Sequence, residues 1–225
     1  MEFYYFPVHA RGLLPRMVIA HLDLGEDEIK DVAVEFPQFM QDKKQFGGPF
    51  GQLPSLKLKD GETRNQTGAM IRYLAKAYKA KDGTSFYPGP SDPLKSHAID
   101  MFIDSQDAWF VETAKFQVPL LDAYKKKDEH FVLYITQQLP ARLKKIEEHL
   151  EKSKTKFLCA DHVTLADFCY GVHILKHVYN HKFEHEHIVK AVLSNYPKAH
   201  SWAENFKDYV WEYWTKDGNN HNVPY

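Results

Sequence analysis

Apolar positions change their period several times along the first 80 residues. FYYF, residues 3 to 6, is short, aromatic and closed by Pro7. It predicts a strand with Phe3 and Tyr5 on one face and Tyr4 and Phe6 on the other. Leu14, Met17, Val18, His21 and Leu22 then recur at helical spacing, with Pro15 tolerable in the first turn and Gly25 as the stop. IKDVAVEF, 29 to 36, alternates like a strand, and PSLKLKDGETR, 54 to 64, reads as a hairpin turning at Asp60-Gly61. Met70, Ile71, Leu74, Ala75 and Tyr78 stripe a helix over Thr67 to Tyr78. The order strand, helix, strand, irregular or helical segment, hairpin, helix predicts an α/β domain with a mixed sheet over residues 1–80.

Residues 81–92, KDGTSFYPGPSD, are rich in Pro, Gly and Ser and read as a linker. Residues 93–225 read as an all-helical domain. One long helix runs from Pro93 to about Gln117, and another spans Phe131 to Leu150, where LKKIEEHLEK supplies i,i+4 charge pairs. Thr164-Leu-Ala-Asp167 has capping-box spacing, with Asp in place of Glu or Gln, and should start a buried helix through VHILKHVY. Pro197 can open the last helix, and the tail DGNNHNVPY looks irregular. The fold class is therefore α/β followed by all-α.

Composition narrows the function classes. Hydrophobic residues make up 44% of the 225, enough for a globular core. A formal net charge of -1 argues against nucleic acid as the main partner. No apolar run reaches membrane-spanning length, and MEFYYFPVHARG lacks a signal peptide's basic start and apolar run. Two cysteines, Cys159 and Cys169, without a C-x-x-C, point to a cytoplasmic protein without a disulfide framework. His173, His177, His181 and His185 are spaced by four, but no carboxylate-assisted zinc motif accompanies them, so no metal is expected.

Two segments carry chemistry. In GPFGQLPSLKL, 48 to 58, Pro54 at a strand start removes one backbone donor. Its bland reading is an ordinary turn; its functional reading is a Leu53 backbone edge that hydrogen-bonds an extended peptide-like ligand. In RNQTGAMIRYL, 64 to 74, Gln66 and Thr67 stand where a helix begins. Free N–H groups and the positive dipole end attract a carboxylate there. One segment suits a peptide backbone and the other, about a dozen residues on, suits an anion.

These residues resemble the cytosolic glutathione transferases along the whole chain. FGQLPSL followed by NQTGAMIRYLA is similar to that family's glutathione-site pair, FLCADHVTLADF to the core motif of its helical domain, and YFPV with Arg16-Met17 to its tyrosine-type classes, sigma above all. The resemblance implies a thioredoxin-like first domain with a cis-proline loop, a homodimer, glutathione as cosubstrate and no membrane partner. It implies Tyr5 as the catalytic tyrosine and Arg11 near the sulfur. Gln52, Leu53 and Pro54 correspond to the backbone-binding segment, and Gln66 and Thr67 to the γ-glutamyl site. Phe36 replaces the usual tryptophan, Lys43 and Lys44 are both candidates for the glycyl carboxylate, and Asp104 and Asp107 lie near Ala108, which takes the place of the cross-dimer acid. Phe6, Val8, Phe110, Cys169 and His173 correspond to an electrophile pocket expected between the domains; for Cys169 and His173, four apart on one helix face, the core reading is the stronger one.

Bringing a thiol from a pKa of about 8.5 to about 6.5 takes roughly 2.7 kcal/mol. One hydrogen bond to a charged group contributes about 1.5–3 kcal/mol, so a single well-aimed tyrosine hydroxyl supplies much of the shift. Three functions remain: glutathione transfer to small electrophiles or peroxides, glutathione-dependent isomerisation of the prostaglandin D synthase type, and a non-catalytic carrier or structural protein.

Overall fold

The computed structural model describes residues 1–25, 27–119 and 121–216. The expected irregular tail, 217–225, lies outside them. The chain divides into two compact units, Met1–Pro93 and Leu94–Tyr225.

The first unit is built on a four-stranded mixed sheet of order β2-β1-β3-β4, with β1 Glu2–Tyr5, β2 Lys30–Ala33, β3 Ser55–Lys57 and β4 Thr63–Asn65. β1 runs parallel to β2 and antiparallel to β3, and β3 pairs antiparallel with β4. The hairpin turns at Gly61, whose φ of 88° lies where a side chain is disfavoured. Period-two alternation in β1 sets its packing. Phe3 and Tyr5 both lie under the Arg16 guanidinium, 5.5 and 5.6 Å from the ring centroids. Tyr4 faces the other way, into a cluster with Val34, Phe39 and Phe46, against which Phe6 also packs. Helices α1 Leu13–His21 and α4 Thr67–Ala77 pack on each other. The segment after β2 forms two short helices, α2 Phe36–Gln41 and α3 Lys43–Gly47. Asp42 caps α3 by accepting from Gln45 N–H at 2.8 Å.

The second unit is all-helical: α5 Pro93–Gln117, α6 Lys127–Leu133, α7 Leu139–Ser153, α8 Leu165–Val178, α9 Glu186–Leu193 and α10 Pro197–Thr215. The single helix expected over 131–150 is two, joined by a π turn at Tyr134–Gln138. Pro140 explains the turn: it has no N–H to donate and would crowd the carbonyl one turn back. α9 was not foreseen; it has only eight residues and no side-chain N-cap. α8 is the central helix, with all but one of its residues buried. The expected capping box is present at its start. Asp167, fully buried, accepts from Thr164 N–H and Oγ1–H at 2.8 Å each, from Leu158 N–H at 2.8 Å and from Trp202 Nε1–H at 2.9 Å. Burial pushes this carboxyl up, and the four donors pull it back. On α10, Trp202, Phe206, Val210 and Trp214 form one buried stripe at helical spacing. Truncating either tryptophan to alanine costs about 3–5 kcal/mol.

Candidate functional site

β1 ends at Tyr5, and the chain then turns through Pro7 and a 3-10 turn at Ala10–Gly12 into α1. That turn brings Arg11 N–H onto the Tyr5 hydroxyl oxygen at 3.1 Å. The oxygen accepts, so the hydroxyl proton is left to donate elsewhere. Tyr5 is 5% exposed, and burial raises its pKa, against the pull of Arg11 N–H and of the Arg11 and Arg16 charges. At neutral pH the group is thus a phenol, a donor rather than a base. Arg11 is half-buried, and its charge acts on Tyr5 as well as its backbone.

Two residues shape this corner that sequence reasoning did not single out for the site. Gly12 packs so closely that a Cβ would land on the Tyr5 ring. Arg16 donates to Asp31 from Nε at 2.6 Å, to the Val8 carbonyl at 2.7 Å and to the Phe6 carbonyl at 3.3 Å. It thereby ties the turn to α1 and β2. Only a Gly directly after an Arg hinted at the first; the second was noted with Met17 as part of a family likeness, without a role.

The Leu53–Pro54 bond is cis. Among the described residues the Leu53 backbone has no hydrogen-bond partner. Asn65 holds the loop in place, donating Nδ2–H to the Gly47 carbonyl and to the Gln52 carbonyl, the latter at 3.1 Å. The two segments singled out above meet: Gln66 Nε2 donates to Gln52 Oε1 at 3.3 Å, with both residues exposed. Gln66 has φ 76° although it is not glycine, and it opens α4 with no side-chain cap, leaving the N–H groups of the first turn available near Thr67. Ala10, beside Tyr5, has φ 31°. Non-glycine residues held in such conformations cluster at ligand clamps.

An aromatic row leads away from Tyr5. Phe6 lies 5.5 Å from Tyr5, 6.0 Å from Phe36 and 5.7 Å from Phe39. Lys43 Nζ sits 6.0 Å over the Phe39 ring. Lys44 instead lines a cavity of about 890 Å³ with Phe50, Thr63 and Arg64, which none of Tyr5, Gln52 and Gln66 lines. Its size does not make it the site of thiol chemistry. Val8 is half-buried beside the Arg16 contact.

In the helical unit, Asp104 and Ala108 are exposed and Asp107 is half-buried on α5. Phe110 is half-buried, whereas Cys169 and His173 are buried. His173 stacks on Trp109 at 4.7 Å with 9° between the planes. The spacing of four in the histidines breaks because α8 ends at Val178, leaving His181 exposed beyond it. Among the described residues no group of three His, Cys, Asp or Glu is placed to hold a metal, and no helix is long and apolar enough to cross a membrane. Burial pushes the Cys159 thiol up to about 12, which makes it a poor nucleophile.

Residues 113–210 match the family model described as the glutathione S-transferase C-terminal domain. A "Glutathione S-transferase" of Plasmodium yoelii yoelii is 27% identical over 208 residues, covering 88% of this chain and 86% of that one. The structure of the glutathione S-transferase from Ascaris lumbricoides superposes with a TM-score of 0.71 at 20% identity, covering all of this chain and 98% of that one. That of prostaglandin synthase D of Nilaparvata lugens does so with a TM-score of 0.61 at 22% identity, covering 90% and 96%. The chain has the glutathione transferase fold, and the family model on its helical unit and the Plasmodium relative support a glutathione S-transferase.

Proposed function

We propose that the chain is a tyrosine-type glutathione transferase that holds the glutathione thiol as a thiolate for attack on small electrophiles or peroxides. The carrying observation is the Tyr5 hydroxyl, whose oxygen is occupied by Arg11 N–H and whose proton is left to donate to sulfur. A buried phenol in that state favours the thiolate by about 1.5–3 kcal/mol, close to what the shift requires. In this reading residues 1–80 bind glutathione and residues 93–225 contribute to the electrophile site. The Leu53 backbone takes the cysteinyl amide, and Gln66 with the α4 N-terminus takes the γ-glutamyl carboxylate. Lys43, on the aromatic row from Tyr5, suits the glycyl carboxylate better than Lys44. Asp104 or Asp107 would reach the glutathione amine across a homodimer in the cytosol.

Conjugation of glutathione to 1-chloro-2,4-dinitrobenzene tests the reading. Turnover that collapses in Tyr5→Phe supports it; a wild-type protein that binds glutathione without turnover leaves the carrier function instead. The likeness to a prostaglandin synthase D favours a second reading, isomerisation. It would show as product formation with no net loss of glutathione.

A further inference from the structure

The bond from Arg11 N–H to the Tyr5 hydroxyl closes a loop six residues along the chain, and its first half has no regular structure. Val8 N–H reaches the Phe6 carbonyl at 2.7 Å across Pro7, a tight turn. Ala10 follows at φ 31°, a conformation that persists only where its surroundings over-determine it. Arg16 supplies that constraint. Side chains on a helix lean toward its N-terminus, so from α1 this one reaches back over the turn. Nη1 donates to the Val8 carbonyl at 2.7 Å and Nη2 to the Phe6 carbonyl at 3.3 Å. Nε and Nη2 donate to the two Asp31 oxygens at 2.6 and 3.3 Å. Asp31 is the strand partner of Phe3, so it stands on the sheet face that carries Phe3 and Tyr5. The guanidinium therefore lies against both rings, with the Arg16 side chain only 15% exposed. Gly12 closes the edge of the Tyr5 ring at Cγ, Cδ1 and Cε1. All these groups belong to the first unit. Burial raises the Tyr5 pKa, and the charge of Arg16, after that of Arg11, draws it down.

We infer that Arg16 is a positioning residue of the thiol site: its fork fixes the turn from Phe6 to Arg11 and so aims the Tyr5 hydroxyl, with Asp31 as the tether that holds the fork. The chemistry it serves is that of the transferase reading, on which the inference rests. Arg16 touches neither thiol nor acceptor and acts through Tyr5 alone. The planar guanidinium is what the arrangement needs, because one group must meet two carbonyls and a carboxylate at once. A lysine brings the charge without the fork.

The experiment is a double-mutant cycle on the pKa of bound glutathione, read by thiolate absorbance. Arg16→Met should raise that pKa by about 0.5–1 unit, part of what one well-aimed hydrogen bond supplies. In a Tyr5→Phe background the same substitution should shift it no further. Arg16→Lys should raise it as Arg16→Met does. Turnover of 1-chloro-2,4-dinitrobenzene by Arg16→Met should fall about twofold to fivefold at pH 6.5 and return to within about twofold of wild type at pH 9, where a thiol ionises unaided. KM for glutathione should stay within about twofold throughout. Where Arg16→Met does not fold, Asp31→Ala, at a half-exposed strand position, takes its place and should move the pKa the same way. Gly171→Ala in the helical unit, which loses stability by crowding Phe206, should leave the pKa unchanged. An unchanged pKa in the Arg16 variants, an equal shift with and without the Tyr5 hydroxyl, or full rescue by lysine overturns the inference and leaves the transferase reading standing. If wild type leaves the glutathione thiol at about 8.5, the transferase reading fails. NMR of the free protein labelled with ¹³C at tyrosine Cζ then decides the positioning alone, the Tyr5 resonance being the one lost in Tyr5→Phe. A resonance that moves in Asp31→Ala, which leaves the Arg16 charge in place, sustains it; one that stays overturns it.

Discussion

Lowering the pH should strike first at two imidazoles in the helical unit. His177 packs against Phe116, Tyr134 and Phe183, and His173 lies flat on Trp109. Burial, with the neighbouring Lys176 charge, depresses His177 to about 3 and His173 well below its ordinary value. The His173 carbonyl pulls slightly the other way on His177 without reaching hydrogen-bond geometry. Both rings are neutral when folded and titrate near 6.5 when unfolded, so below that pH the unfolded chain binds more protons and stability falls. No stability is lost from these groups above pH 6.5. At pH 5 each ring costs about 2 kcal/mol, from roughly 1.5 pH units at about 1.4 kcal/mol each, and the pair about 4 kcal/mol. Domains have only about 5–15 kcal/mol in total, so the loss is large. The assay is urea unfolding followed by tryptophan fluorescence at pH 8 and pH 5, for wild type and for the double variant His173→Phe/His177→Leu. Every other titrating group cancels in the comparison. Wild type should lose about 4 kcal/mol more than the variant between the two pH values. Losses equal to within about 1 kcal/mol would refute the claim that these imidazoles fold uncharged.

Tyr5→Phe should raise the pKa of the bound thiol by about 1–2 units and lower turnover at pH 6.5, with the thermal midpoint little changed, whereas Tyr4→Phe should do neither; the thiolate absorbance titration of the glutathione complex reads this, and the opposite pattern would reverse the strand register. Gly12→Ala should cost about 1–3 kcal/mol by forcing the Tyr5 ring aside and should reduce turnover beyond that stability loss. Gly171→Ala, whose Cβ would land on Phe206, is the matched control: similar destabilisation in a melting curve, unchanged kcat. Asp167→Ala strands four buried donors and should cost at least about 3 kcal/mol, measured by urea unfolding.

Much of the fold could be read locally because its signals are local. Pro93 opens α5 and the apolar run ends at Gln117, and the Thr164–Asp167 spacing marks the α8 start in sequence as in space. β1 alternation separated Tyr5 from Tyr4 without any knowledge of their partners. What escaped depends on residues far apart in the chain. A proline at 140 could have broken the helix, but that it is absorbed by a π turn depends on the packing of Tyr134 and Leu139. Arg16 could be noted in sequence as part of a family likeness, but its role shows only when Asp31, Val8 and Phe6 come to it. Asn65 joins Gly47 and Gln52 across 18 and 13 residues. Lys176, inside VHILKHVY, looks like a solvent-facing interruption; only the surrounding helices make it a buried cation.

The four donors gathered by Asp167 also set an order of events during synthesis. They come from the loop before α8, from its cap and from α10, 35 residues downstream. A nascent chain that ends short of Trp202 must hold this carboxylate away from water with one of its donors still unmade. α8 can wind early, but it cannot settle into its final surroundings. The helical unit is therefore committed late, by the arrival of a single indole.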